Sequence, residues 1–415
     1  MSTVLFRDIS VIYGTYPAGT EYIRGRDLNH LPSLTGHAIL SEDGIITGLL
    51  AENDIVPDPE WEIVSLNGKS VIPGLAECHT HSVFAGDRSD EFLMKLRGAT
   101  YEEIASRGGG IISTMKLVRN SSEEELLALL LPRIQTFIEQ GVTTLEIKSG
   151  YGLSTADELK MLRTIKRASK LLPIDIVPTF LGAHTIPPEF QNKRNIYTDL
   201  VCNEMIPAVA EEDLACFCDG FLERSAFQPE EIERIFETAR QKGLSLRLHT
   251  DQFHSIGGLE LGLRMGCRSV DHLEVISEEQ SKLFKDSPTA AVLLPGVSYF
   301  LNYNYAPAQS LIDADAIVAL ATDYNPGSSH IDNIYLIMSL AAVRMKMTVN
   351  EIINAYTINA SYACGRESTT GSLSPGKKAD FAVIDYENLN QIVYQTGKNP
   401  VLMTVKKGEI IHQKT

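Results

Sequence analysis

Val71-Ile72-Pro73-Gly74-Leu75 leads, three residues on, into His79-Thr80-His81. An apolar run of β character ends there, and two imidazoles follow with one residue between them. Side chains alternate faces along an extended segment, so residues i and i+2 point the same way. Both rings can therefore reach one metal ion from a strand end. A lone His-x-His pair is weak, but polar residues recur at strand ends downstream, at His184, His249, His272 and Asp323. The stretch between alternates apolar strands with amphipathic helices. The strands are residues 143–147, 175–181, 220–223, 244–248, 269–271, 290–294 and 317–321; helices open near Asp157 and span Pro229 to Lys242. With the run before His79 they number eight. Repeated βα units imply parallel strands joined by right-handed crossovers. Eight of them predict an α/β fold, a closed (β/α)8 barrel of the TIM type. An open doubly wound sheet would call for a Gly-x-Gly-x-x-Gly turn after its first strand, and the chain has none there. Barrels of this kind build their sites at the C-terminal strand ends, where all six polar residues fall.

Outward from the barrel, both ends of the chain read as strand. Val4-Leu5-Phe6, Ile9-Ser10-Val11-Ile12 and the hairpin of Ala38-Ile39-Leu40 and Ile45-Ile46 about Asp43-Gly44 lie before it. Residues 377–385, 401–405 and 409–411 follow a predicted helix from Asn350 to Ala360. Neither end has enough strands to bury its own face. The expectation is a small composite β-sandwich built from residues 1–66 and 363–415, beside a barrel of residues 67–362.

The 415 residues are 44% hydrophobic and 22% charged, the make-up of an ordinary globular protein. A net charge of -16 argues against nucleic acid and against anionic membrane as partners. No stretch has the length of a membrane span, and Met1-Ser2-Thr3-Val4 carries no basic leader. The six cysteines show no paired framework, so reduced thiols and a cytoplasmic location are expected. Cys216-x-Cys218 is too tight for the usual zinc spacing and reads as buried strand. Cys78 should face away from the histidine pair.

His79, His81 and His249 as neutral nitrogen ligands, with Asp323 as an oxygen ligand and proton acceptor, suit Zn2+ or Fe2+/Fe3+. One divalent ion lowers the pKa of water toward neutrality. A two-metal site of this layout often uses a carboxylated lysine on the fourth strand. That strand is read as ending Gly220-Phe221-Leu222-Glu223, so a single ion is expected. His272 titrates in the range of a proton shuttle, or it orients a neighbour. Arg88 could fork onto a substrate carboxylate or form a surface salt bridge. Gly150-Tyr151-Gly152 is a flexible loop carrying one phenol, and Gly108-Gly109-Gly110 a mobile loop rather than a phosphate cradle.

These residues resemble the amidohydrolase superfamily over almost the full length. The marks are the run into His79-Thr80-His81, Thr322-Asp323, Ala355-Tyr356-Thr357-Ile358-Asn359-Ala360, and Gly371 through Asp380. Within it the chain is similar to the imidazolonepropionases. That likeness rests on His81 to Arg88 with Glu91-Phe92, on Gly98-Ala99-Thr100-Tyr101-Glu102-Glu103-Ile104, and on Gly108 to Ile111. Lys148-Ser149-Gly150-Tyr151-Gly152, Phe180-Leu181-Gly182-Ala183-His184 and Asp323-Tyr324-Asn325-Pro326-Gly327-Ser328 continue it. The resemblance implies metal ligands His79, His81, His249 and Asp323. It implies substrate contacts at Arg88, Tyr151, His184, Gln252, Asn325, Gly327 and Ser328, and a homodimer. It implies hydrolytic opening of 4-imidazolone-5-propanoate, a small-molecule substrate, to N-formimidoyl-L-glutamate. Another amidohydrolase acting on a carboxylate-bearing heterocycle is the alternative. Gln252 stands where deaminases of the superfamily carry a proton-shuttling Glu. An amide cannot relay a proton, so the proton work is assigned to His272 and Asp323.

Overall fold

The computed structural model describes residues 2–98, 109–386 and 388–414. Among the described residues, sixteen strands fall into two sheets. The first contains β1 (Thr3–Tyr13), β2 (Ser33–Leu34), β3 (His37–Glu42), β4 (Ile45–Ala51) and β5 (Glu62–Pro73) from the start of the chain. It also contains β14 (Phe381–Ile384), β15 (Val401–Lys406) and β16 (Glu409–Gln413) from the end. Its order is β16-β15-β14-β5-β1-β3-β4, with β2 beside β1. β3 and β4 turn at Asp43 and Gly44, whose φ of 48° and 80° match the right-handed twist of a hairpin. The sheet folds back on itself: Gly376 N–H donates to the Ile46 carbonyl at 2.8 Å, tying β4 to the segment before β14. Phe6 and Phe381 meet edge to face at 4.9 Å in the core this encloses.

The second sheet is the barrel: β6 (Leu75–Glu77), β7 (Val142–Lys148), β8 (Asp175–Ala183), β9 (Phe217–Leu222), β10 (Ser245–Thr250), β11 (Ser269–His272), β12 (Ala290–Leu293) and β13 (Ile317–Leu320). Each pairs in parallel with the next in chain order. Beyond the named strands the ring is closed by Asp323 N–H to the His79 carbonyl at 3.1 Å and His81 N–H to the Tyr324 carbonyl at 2.9 Å. The seam of the barrel thus runs through three candidate ligands.

Helices pack the barrel's outside by burying apolar stripes. Pro229–Gln241 starts with Pro at its first position and buries Ile232, Ile235, Phe236 and Ala239, the i, i+3, i+4, i+7 face. Each large side chain there contributes roughly 1.5–3 kcal/mol of burial. Thr155–Leu171 is capped by the Ser154 hydroxyl, which accepts from Asp157 N–H. Among the described residues no helix is long and apolar enough to cross a membrane.

Several expectations need correction. The run Val71–Leu75 does not form the first barrel strand as a unit. Val71, Ile72 and Pro73 end β5 and pair with β14, and the barrel begins at Leu75. Gly74 is the pivot, because a Cβ there would lie 2.3 Å from the Thr143 side chain. The helix expected over 350–360 is two, Val349–Tyr356 and Ile358–Ala363, broken at Thr357 (φ −116°, ψ −91°). The Thr357 hydroxyl bonds the Ile353 carbonyl at 2.6 Å, and Asn359 is drawn off to the carbonyls of Ile23 and Val318. The fourth strand starts at Phe217, earlier than Gly220, which brings Asp219 into the barrel. Cys218 is buried, but Cys216 is exposed just before that strand. Cys78 is buried with its thiol toward the Leu320 carbonyl.

Candidate active site

The short polar ends of β6, β8, β10 and β11 and the segment after β13 converge at one end of the barrel. The rings of His79 and His249 lie 4.4 Å apart, those of His81 and His249 5.4 Å, and those of His249 and His272 5.4 Å. His184 stacks on His81 at 5.2 Å. His79 is wholly buried, and His81, His249, His272 and Asp323 nearly so. His272 and Asp323 hold φ of 89° and 50°, a left-handed backbone that non-glycine residues adopt at a cost. That turn sends both side chains across the barrel mouth.

Tautomers follow from the partners. His79 Nδ1–H donates to Asp271 Oδ2 at 2.7 Å, and His249 Nδ1–H donates to Asp219 Oδ1 at 3.0 Å. With the rings neutral, as metal ligands must be, both Nε2 atoms then carry lone pairs. His249 Nε2 sits 3.3 Å from His81 Nε2, and Asp323 Oδ1 sits 3.4 Å from the Nε2 atoms of His79 and His81. Only His81 Nε2 could bring a proton to this meeting, and one proton cannot serve three acceptors. His79 Nε2 and Asp323 Oδ1 are buried without a hydrogen-bond partner. Unpaired acceptors gathered in a dry place are satisfied by a cation. The donor set fits a divalent metal ion, and His79, His81 and Asp323 form one compact ligand group, with His79, His249 and His272 another.

Above this floor opens a cleft of about 190 Å³, and its wall brings together Arg88, Tyr151, His184, Gln252, Asn325, Gly327 and Ser328 with His81, His249, His272 and Asp323. Arg88 is mostly buried and pairs with Glu91 at 2.8 Å through Nε and an Nη. It therefore lines the cleft and carries an ion pair at once. Gly327 makes room for it: a Cβ there would lie 2.0 Å from an Arg88 Nη. Asn325 spends its amide on its own turn, accepting from Gly327 and Ser328 N–H at 2.8 Å and donating to the Asp323 carbonyl at 2.7 Å. His184 Nδ1–H bonds the Gly150 carbonyl at 3.0 Å. Burial, aided by His81, pushes the His184 pKa down to about 3, so the ring is a neutral donor or acceptor. Burial alone would also depress His272, but the Glu274 carboxylate at 3.3 Å, with Asp323 and Asp271 beyond it, outweighs burial and raises it. Glu91 also accepts from Gly110 N–H at 3.1 Å. Gly108 and Ala99 to Ile104 lie outside the described residues.

The sequence reading missed a buried ionic layer under the ligands: Glu77, Glu146, Lys148, Asp219, Arg247 and Asp271, all fully buried. Burial opposes the charge on Lys148, yet Glu146, Asp219 and Asp271 outweigh it and raise the pKa. It also missed Lys95, which lines the cleft beside Arg88, and Glu274. A signal was present. Glu146-x-Lys148 and Arg247-x-His249 repeat the i, i+2 logic of the histidine pair, and charged residues inside an apolar strand need partners.

A sequence model of the amidohydrolase family matches residues 103–412. The imidazolonepropionase of Thermoanaerobacter pseudethanolicus is 42% identical over 407 residues, covering 98% of this chain and 97% of that protein. The imidazolonepropionase of Alkaliphilus metalliredigens is 40% identical over 419 residues, covering 100% and 99%. Among solved structures, a triazine hydrolase variant matches with a TM-score of 0.75 at 16% identity, over 98% of this chain and 94% of that one. An adenosine deaminase from Xanthomonas campestris with bound zinc matches with a TM-score of 0.73 at 16% identity, over 99% and 92%. At such identities these structures speak to the fold alone.

Proposed function

The chain belongs to the imidazolonepropionases, amidohydrolases that cleave a cyclic amide C–N bond in histidine degradation, and from that premise we propose how its cleft opens 4-imidazolone-5-propanoate. The observation that carries the proposal is the meeting of unpartnered acceptors, His79 Nε2 and Asp323 Oδ1, on the floor of a cleft whose wall holds Arg88. His79, His81, His249 and Asp323 would hold one metal ion, Zn2+ or Fe2+/Fe3+. Such an ion supplies Lewis acidity that makes water a nucleophile near neutral pH and polarises a carbonyl.

The residues of the chain do the rest. Asp323, its carboxylate facing both His79 and His81, accepts a proton from the attacking water. Water oxygen bonds the ring carbonyl carbon, the adjacent C–N bond breaks, and the ring nitrogen leaves with a proton. His272, whose Nδ1 faces Glu274, offers Nε2 to deliver that proton. Gln252 positions the ring by hydrogen bonds. Arg88 meets the propanoate tail, with Tyr151, His184, Asn325, Gly327 and Ser328 shaping the pocket around the heterocycle. The product is N-formimidoyl-L-glutamate.

The finer partner assignments are also proposals. A cytoplasmic location without nucleic acid or membrane partners accords with the net charge of -16 and the free cysteines, and the homodimer is carried by the likeness to the family alone. The deciding experiment follows the ultraviolet absorbance of freshly made imidazolone-propanoate while metal content is measured in the same sample. About one ion per active chain and loss of the chromophore are expected. No turnover by metal-loaded protein, or two ions both needed for activity, defeats the scheme.

A further inference from the structure

Under the ligands lies an ionic layer that the mechanism leaves without a part. The Lys148 ammonium, reaching in from β7, is 2.8 Å from Glu146 Oε1, 3.0 Å from Asp219 Oδ2 and 3.9 Å from Asp271 Oδ2. Arg247, from β10, holds Asp271 Oδ2 at 3.0 Å and the Cys78 carbonyl at 2.8 Å. Barrel interiors are ordinarily filled with branched apolar side chains, and each buried ion costs several kcal/mol before pairing. The charges are placed where they meet the histidines: Asp219 accepts a hydrogen bond from His249 Nδ1–H, and Asp271 accepts one from His79 Nδ1–H. Lys148 is absent from the cleft wall and touches no candidate ligand by a hydrogen bond or ion pair among the described residues. Its compact ammonium reaches both aspartates, whereas the planar fork of Arg247 is divided between Asp271 and main-chain carbonyls.

We infer that Lys148, with Arg247 beside it, is a positioning residue for the metal site: it pins Asp219 and Asp271 so that His249 and His79 keep their protons on Nδ1 and present Nε2 to the ion. Without it, Asp219, Asp271 and Glu146 face one another across the layer with Arg247 as the one remaining cation. Asp219, which has no bond to Arg247, is then held, apart from His249, only by the Gly220 N–H on Oδ1 at 2.7 Å, and its carboxylate loses the cation that fixes its angle to His249. The ring loses the fixed partner that chooses its tautomer. Partners of this kind are worth about 10- to 100-fold in metal affinity. The inference rests on the metal reading proposed above.

The test uses the full chain stripped of metal, with Zn2+ as the probe and no substrate. In chelator competition, Lys148→Met and Asp219→Asn should each bind Zn2+ about 10- to 100-fold more weakly than wild type. Nitrogen-15 imidazole spectra of the metal-free protein should show His249 as a tautomer mixture in both variants, and as Nδ1–H alone in wild type. Since Lys148 acts through Asp219, the double variant should lose no more than Asp219→Asn. If Lys148→Met does not fold, the double variant, which removes one charge of each sign, carries the test by the same comparison. Losses that add, or a folded Lys148→Met with wild-type tautomer and a Zn2+ affinity within twofold, overturn the inference alone. A wild-type chain that takes up no Zn2+ overturns the metal reading with it.

Discussion

Asp175 opens β8 and accepts from Lys378 at 2.6 Å and Lys406 at 2.7 Å; Lys406 also reaches Asp380 Oδ2 at 2.6 Å, and Asp380 Oδ1 takes the Lys407 N–H at 2.8 Å. At the other end of the same nine-residue strand, roughly 30 Å away at about 3.3 Å per residue, His184 stands in the cleft. Both ends bury charge. In the first cluster every carboxylate has its cation, and none of its buried side-chain atoms is unpartnered. In the second, His79 Nε2 and Asp323 Oδ1 are buried, unpartnered acceptors. The first therefore reads as a clasp between the end sheet and the barrel. The second has acceptors that only a ligand can satisfy. Burial of charge does not by itself mark function; unsatisfied burial at a converging point does.

That contrast can be broken by substitution at either end. Asp323→Ala should remove the bound metal and cost on the order of 5 kcal/mol in kcat/KM, with the melting temperature of the metal-free protein little changed. Turnover with metal analysis and calorimetry checks it. Retained metal and activity would make the cleft cluster structural like the other. Lys406→Met should do the opposite, lowering stability by about 4 kcal/mol because Asp380 is left buried without its cation. Denaturant titration reads the stability, and kcat per folded chain should hold at the wild-type value. A drop in kcat without a drop in stability would move the clasp into the catalytic machinery.

His272→Asn comes next, at about 100-fold in kcat with metal retained. Steady-state kinetics on metal-checked protein decides; near-normal kcat leaves His272 no proton to move. Smallest is Arg88→Met, about 2 kcal/mol in kcat/KM and mostly in KM. Glu91 already neutralises part of the guanidinium, which holds the figure down. A substrate analogue without the propanoate tail should bind the variant and the wild type alike. If the variant discriminates against it as wild type does, the tail is held elsewhere, with Lys95 the neighbouring cation on the cleft wall.

Much of this is legible in the sequence, for a local reason. Period-two alternation put His79 and His81 on one face, and the recurrence of apolar strand, polar end and amphipathic helix led to eight parallel strands. The misreadings share one cause. Val71-Ile72-Pro73 is apolar and extended wherever it pairs, so nothing local told its place in the end sheet from a place in the barrel. Cys216 looked like strand because Cys218 is strand. Asp219 went unnoticed because one polar residue in an apolar run says nothing about what faces it.

The sequence by itself determined where most strands lie and which face His79 and His81 take, and hence that imidazoles and a carboxylate would stand at strand ends in a (β/α)8 barrel. Those properties depend on backbone geometry over a few residues. Tertiary structure alone decided that Lys148 would meet Asp219 and Asp271, 71 and 123 positions away, that Asp271 and Asp219 would choose the tautomers of His79 and His249, and that Asp323 would close the seam against His79. Those meetings follow from the register in which eight strands close on themselves, and no short stretch of chain carries that register.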